Sequence, residues 1–275
     1  MQDSEISERI EFLYGAVDWR NSNGILHVAA IAGEPPSAIA IGPSSPASVT
    51  DRFVLGFARA RADVIVTSGA ILRAEPELIH CYAEDEKANA AFARWRDRVL
   101  GTSGPPALVL LSASGAFPLD HPALAAAERG LVWTTPEGHA RLGRSRVARL
   151  AVEAPNERGE SLGASVLSAI ERAGSVLQAR TVLIEAGPTT SSTLYPGLDE
   201  LDEGGGDDGV ASATETCRID ELLLSRFAGR LEEAAVGPPF IAEARITARF
   251  GRPISAQESE EASGPWRFER YRADA

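Results

Sequence analysis

The chain has 275 residues, of which 44% are hydrophobic and 24% charged, a globular balance that excludes a disordered or fibrous chain and allows one large domain or two small ones. Its net charge of −12 argues against a binder of duplex nucleic acid or of an anionic membrane surface. Three stretches, residues 1–11, 199–208 and 258–261, carry −3, −6 and −3 and leave the remainder formally neutral, so a local arginine cluster can still hold a phosphorylated small molecule.

The opening segment MQDSEISERIEF is acidic where a secretory leader is basic and then apolar. No apolar run approaches the roughly 20 residues of a membrane helix, and the expectation is a cytoplasmic protein without membrane contact. β-rich apolar runs predict strands at residues 26–31 and 38–41. A helix follows at 49–62, with Thr50 as candidate N-cap and Phe53, Val54, Phe57 and Ala58 at helical spacing. A strand at 63–67, an amphipathic helix at 84–100 and strands at 107–111, 130–134 and 146–152 come next. A helix at 162–173 precedes strands at 181–185 and 218–223.

Between those two strands lies GLDELDEGGGDDGVAS (197–212), whose glycines and like charges predict a flexible acidic surface loop without the ligand spacing of an EF-hand. In EARITARF (243–250) and WRFERYR (266–272) apolar and charged residues alternate, the period of a strand wet on one face. They predict a C-terminal antiparallel strand pair. Strand, helix and strand in series otherwise predict an α/β fold of three layers with a predominantly parallel mixed sheet. No repeat or internal boundary interrupts it, so one domain is expected over 1–275.

Two cysteines, Cys81 and Cys217, lack CxxC spacing, read as bystander thiols and suit a reducing compartment. His27, His80, His121 and His139 show no zinc-ligand spacing; His27 reads as a strand residue and His121-Pro122 as a turn before a short helix. No metal is expected. There is no Walker loop, GxSxG elbow, HExxH or GxGxxG after a strand.

What remains are two strand-to-loop junctions, VIVTSGAILRAE (64–75) and VLIEAGPT (182–189). In open α/β sheets ligands bind beyond the carboxyl ends of strands, where small residues let backbone N–H groups approach phosphates. A glycine after a strand also serves simply to make a turn.

These segments resemble the reductase domain of riboflavin biosynthesis (the RibD C-terminal type), which has the dihydrofolate reductase fold. The resemblance runs in order through TDRFVLGFARARAD (50–63), SGAILRAEPEL (68–78), VWTTPEG (132–138), IEAGPT (184–189), IDELLL (219–224) and WRFERYR (266–272). It implies a dihydrofolate reductase-like fold, an NADPH cofactor, a small-molecule substrate and a homodimer. On the cofactor side it places Ser68, Gly69, Ala70, Thr134, Thr135, Glu185, Ala186, Gly187, Pro188 and Thr189, with Arg144 and Arg146 in the basic run HARLGRSR able to hold a 2′-phosphate. On the substrate side it places Ser44, Arg59, Glu75 and Leu78, with Arg59 at the phosphate-binding position. The bland alternatives are a surface arginine for Arg59 and a helix-capping carboxylate for Glu185.

The sequence also departs from that family. Ala32 stands where an aspartate meets the substrate ring, and Ile71 replaces a threonine. Glu34 is a weak candidate for the missing proton donor. The expected function is NADPH-dependent hydride transfer to a small heterocyclic or carbonyl substrate, with or without a phosphate; the alternative is a catalytically silent relative that binds a nucleotide or a protein partner.

Overall fold

The computed structural model describes residues 2–21, 23–143, 147–154, 162–195 and 218–273, the side chains of 162–165 apart. Arg144, Arg146, Cys217 and the 197–212 segment lie outside the described residues. Seven strands run parallel in the order β8 (Glu221–Phe227), β1 (Gly24–Ala32), β7 (Thr181–Ile184), β3 (Val64–Ser68), β4 (Ala107–Leu111), β5 (Gly130–Trp133) and β6 (Ala151–Glu153). Beyond β8 the sheet turns antiparallel through β11 (Gly264–Arg272) to β10 (Ser255–Glu261). A short arm, β2 (Ser37–Ile39) with β9 (Val236–Pro239), hangs on the end of β1.

Layering follows from the side-chain pattern. Strands β3, β4 and β7 are buried on both faces, which is why VIVTS, ALVLL and TVLI read as unbroken runs rather than alternations. One face packs on α1 (Asp3–Tyr14), α2 (Val49–Arg61) and α4 (Glu86–Trp95). The other packs on α7 (Leu162–Leu177) and α9 (Glu243–Phe250). The expected three-layer α/β fold with a mixed, mostly parallel sheet is therefore observed. In α2, Gly56 is required because a Cβ there would stand 2.1 Å from the Tyr82 carbonyl oxygen.

Four expectations are corrected. EARITARF is the helix α9, not a strand: only Ile246 and Phe250 are buried, an i, i+4 pair on one helical face, while Ala244 and Ala248 are exposed and supply helix propensity. The terminal antiparallel pair exists, but its first strand is SAQESEE of β10, whose acidic alternation suits a sheet edge. Its apolar face packs against α1 within the chain, so it is not a surface kept free for a twin subunit. The cap of α2 is Ser48, which accepts from Asp51 N–H at 2.8 Å, not Thr50. The strand expected at 146–152 is shifted to β6. Sequence reading passed over α1, although Ile6, Ile10, Leu13 and Tyr14 mark its buried stripe.

Three elements distant in sequence are tied by one carboxylate. Arg61 Nη1 and Nη2 donate to Glu221 Oε1 and Oε2 at 2.8 and 2.9 Å, and Arg270 Nε donates to Oε1 at 2.8 Å. The same two guanidinium groups lie 4.6 and 4.5 Å from the Trp19 ring centroid, close enough for cation–π attraction. Burial opposes the Glu221 charge, but the two arginines outweigh it and hold the carboxyl down at about 2. Its stabilisation is complete above the ordinary glutamate pKa of 4.5 and is lost as the pH falls through about 2. Glu221→Gln is expected to cost about 3–5 kcal/mol at neutral pH, the usual consequence of leaving buried charge unpaired. The variant should also lose less of its remaining stability on acidification. Urea denaturation near pH 7 and near pH 3 checks both; equal acid sensitivity in the two proteins would remove Glu221 from this role.

Candidate functional site

Because β7, β3, β4 and β5 are parallel, their carboxyl ends share one edge of the sheet, and three short helices start there. Ser68 ends β3 and caps α3 (Gly69–Ala74) through its hydroxyl. Thr135 caps α6 (Pro136–Leu142), accepting from Gly138 N–H at 3.1 Å. Gly187 precedes α8 (Pro188–Ser191). In the latter two a proline fills the first helical position, where no N–H is needed. A Cβ on Gly187 would meet only Ile71 Cδ1, at 4.0 Å, so the starts of α3 and α8 lie side by side and Gly187 is not crowded by other groups.

The cofactor-side residues expected from sequence that are described thus gather on one edge, but not all offer free groups. The Thr134 hydroxyl is buried and donates to Ser112 and Ala113 carbonyls at 2.6 and 3.3 Å. Thr135 donates to Ala113 at 2.7 Å. Both threonines fasten β5 to the β4 loop. Ala70 and Thr189 are exposed, and Ala186, Gly187 and Pro188 half-buried.

Arg59, expected on the substrate side, has intramolecular partners in the structure. Arg59 and Glu185, expected on two different ligands, form one buried ion pair. Arg59 Nε and Nη2 donate to Glu185 Oε1 and Oε2 at 2.8 and 2.7 Å, and Nη1 donates to the Cys81 carbonyl at 2.8 Å. The two side chains are only 9% and 10% exposed. Burial works against both charges, but their attraction and hydrogen bonds prevail, leaving Glu185 below the ordinary carboxylate range and Arg59 above its own. Glu185 is placed by strand alternation: Leu183 faces the α2 layer and Ile184 the opposite one, so Glu185 returns to the α2 face.

Around this pair stand Glu75, expected on the substrate side, and two histidines to which the sequence assigned no site role. His80 Nε2 lies 4.0 Å from Glu185 Oε2, its side chain is 8% exposed, and neither ring nitrogen has a hydrogen-bond partner. Burial pushes His80 down to about 4, against the pull of Glu185 and with help from Arg59 and His121, so the ring is neutral near pH 7. His121 caps α5 (Pro122–Ala126), as its turn reading implied; its Nδ1 accepts from Ala123 N–H at 3.1 Å. Its proton therefore sits on Nε2, which donates to the Glu75 carbonyl at 2.9 Å. Glu75 is half-buried, and burial and Glu185 push its carboxyl up while Arg59 and His121 restrain it. The one signal for His80 in the sequence was its place beside Cys81.

Other expected residues stand apart. Leu78 is half-buried and its N–H donates to the Glu75 carbonyl at 3.1 Å. Ser44 lies in the turn between β2 and α2, and Glu34 is exposed in the turn after β1. Ala32 is 4% exposed and belongs to the apolar layer under α2, so the position of the missing carboxylate is core. His27, a strand residue as expected, is buried in β1 with Nδ1 2.8 Å from the Tyr195 hydroxyl. Among the described residues no group of histidine, cysteine and carboxylate side chains is arranged to hold a metal, and no helix is long and apolar enough to cross a membrane.

No protein-family model matches the chain, and no curated protein matches it either. Solved structures do. A pyrimidine reductase-like protein from Corynebacterium diphtheriae superposes with a TM-score of 0.63 at 21% identity, over 97% of this chain and 99% of that one. RibD of Acinetobacter baumannii gives 0.56 at 17%, over 92% of this chain and 58% of that one. A diaminohydroxyphosphoribosylaminopyrimidine deaminase/5-amino-6-(5-phosphoribosylamino)uracil reductase from Thermotoga maritima gives 0.51 at 14%, over 92% and 57%. The chain has the fold of the riboflavin-pathway pyrimidine reductases.

The neutral state of His80 has a measurable consequence. In the unfolded chain its imidazole takes up a proton near 6.5, while in the folded chain it does so only near about 4. Stability from this group is therefore present above 6.5 and falls as the pH drops through about 4. Urea denaturation from neutral pH to about pH 4 should show a shallower decline for His80→Asn than for the parent. Direct NMR titration of the ring should find it neutral at pH 6; a midpoint at or above the ordinary histidine value would overturn the assignment.

Proposed function

We propose that this protein is an NADPH-dependent reductase-like protein that transfers hydride to a small heterocyclic or carbonyl substrate. The observation that carries the reading is the shared edge at which β3, β5 and β7 end and α3, α6 and α8 begin, in a fold shared with pyrimidine reductases. The absence of a side chain at the half-buried Gly187 and the exposed Thr189 near it fit a cofactor that the protein backbone must approach closely. Ser68, Gly69, Ala70, Thr135 and residues 186–189 would line it, with Thr134 acting through its hold on the β4 loop. A bound nicotinamide supplies the hydride; the chain supplies orientation and exclusion of water.

A second reading is favoured by one observation, the burial of Ala32 among apolar neighbours. No carboxylate stands there to deliver a proton, so a relative that binds nucleotide without turnover fits the same edge. Titration with NADPH and separately NADH, followed by nicotinamide fluorescence and thermal shift, separates these readings. Saturable, NADPH-preferring binding that raises the melting temperature by mass action, followed by substrate-dependent NADPH oxidation, is the expected result. Binding without oxidation across carbonyl and heterocycle panels selects the silent relative. No binding of either nucleotide at about millimolar concentration, where the free energy is only about 4 kcal/mol, overturns both.

A further inference from the structure

The cluster at the end of β7 contains two carboxylates, one guanidinium and two imidazoles, and its arrangement bears on the substrate that the proposed reductase site takes. We propose, resting on that reading of the site, that this cluster seats a nitrogen group of the substrate that donates hydrogen bonds, uncharged or cationic, on the Glu75 carboxylate, and that it turns a phosphate away.

Three observations carry the inference. First, the only guanidinium in the cluster is committed. Arg59 spends its fork on both oxygens of Glu185 and a third donor on the Cys81 carbonyl, with about a tenth of each side chain exposed. A phosphate reaching Arg59 has to displace a bidentate carboxylate and leave Glu185 buried without its cation, the kind of rupture that is strongly unfavourable. Second, the charge balance has the wrong sign for an anion. With His80 neutral and His121 carrying its proton on Nε2 alone, Arg59 stands against Glu75 and Glu185, and the cluster is net negative. Third, two polar groups here lack partners. The Glu75 carboxylate is half-buried and accepts no hydrogen bond among the described residues. His80 is more than nine-tenths buried beside Glu185 with both nitrogens unpaired, a polar vacancy of a kind that folded proteins rarely leave.

A ligand N–H donor repairs the Glu75 deficit directly. Burial pushes the Glu75 carboxyl up, and a donor or a cation placed on it reverses that direction. A phosphate group on the same atoms meets a carboxylate with nothing to offset it. The specificity is thus set by Glu185: by occupying Arg59 it converts what is otherwise an anion receptor into a wall of the site and leaves Glu75 as the group facing the ligand.

The test uses the full chain with two probes, benzamidine, a planar cation rich in N–H donors, and sulfate, a dianion whose charge does not change near neutral pH. The His80 ring resonances report on the cluster. Benzamidine should shift them saturably with a dissociation constant of about a millimolar, and Glu75→Gln, a substitution at a half-exposed position, should weaken that binding about tenfold. Sulfate should leave them in place up to about 100 mM once ionic strength is matched with chloride. Saturable shifts with sulfate, no shift with benzamidine, or benzamidine binding indifferent to Glu75→Gln would each overturn the proposal. Titrating NADPH into the same sample separates the two readings. Benzamidine selectivity without NADPH binding removes the reductase function and keeps the cluster; NADPH binding with sulfate on Arg59 does the reverse.

Discussion

The buried pair of Arg59 and Glu185 is the interaction on which this site depends. It joins the last turn of α2 to the residue after β7, across one layer boundary, and through Cys81 it fixes the chain that leaves α3. Both partners lie where an isolated charge is costly, so each requires the other. The pair therefore decides more than local stability. It determines which charge the edge of the sheet presents, because a guanidinium whose fork is held by a carboxylate, with three of its five N–H donors spent, has its charge neutralised by that partner.

The same helix shows the design twice. Arg59 and Arg61 are two residues apart near the end of α2, and both are buried on carboxylates from strands, Glu185 after β7 and Glu221 at the start of β8. Two arginines at i and i+2 point in different directions on a helix, which lets one helix end reach two strands that are separated by β1. Glu221 has a second arginine and the Trp19 ring to complete its surroundings, whereas Glu185 has only an unpaired imidazole. The first arrangement is closed and structural. The second is left incomplete at the edge where β3, β5 and β7 end.

Much of the fold was legible in the sequence because the central strands are covered on both faces, and their short unbroken apolar runs have few alternative readings. EARITARF was misread for a physical reason: alanines at alternate positions satisfy a two-residue period without being buried, and only the Ile246 to Phe250 spacing is used by the structure. The site was legible as a place and not as a set of roles. Strand ends and their glycines announce an edge, but a sequence does not tell whether an arginine and a glutamate 126 residues apart face a ligand or each other. His80 illustrates the limit. Its importance lies in the hydrogen bonds it lacks, and an absence of partners is a property of packing alone.

Ala32 departs from the pattern that the sequence resembles, whereas Glu185 keeps it and is held in a pair with Arg59. Where an acid is expected at the end of β1 there is core, and where an anion receptor is expected on α2 there is a neutralised pair. Ala32 leaves no carboxylate at the end of β1 and the pair engages the arginine of α2, while the ends of β3 and β7 keep their small residues. Of the two carboxylates in the cluster, Glu185 is engaged by Arg59, and Glu75 is the one that is partly exposed and accepts no hydrogen bond among the described residues.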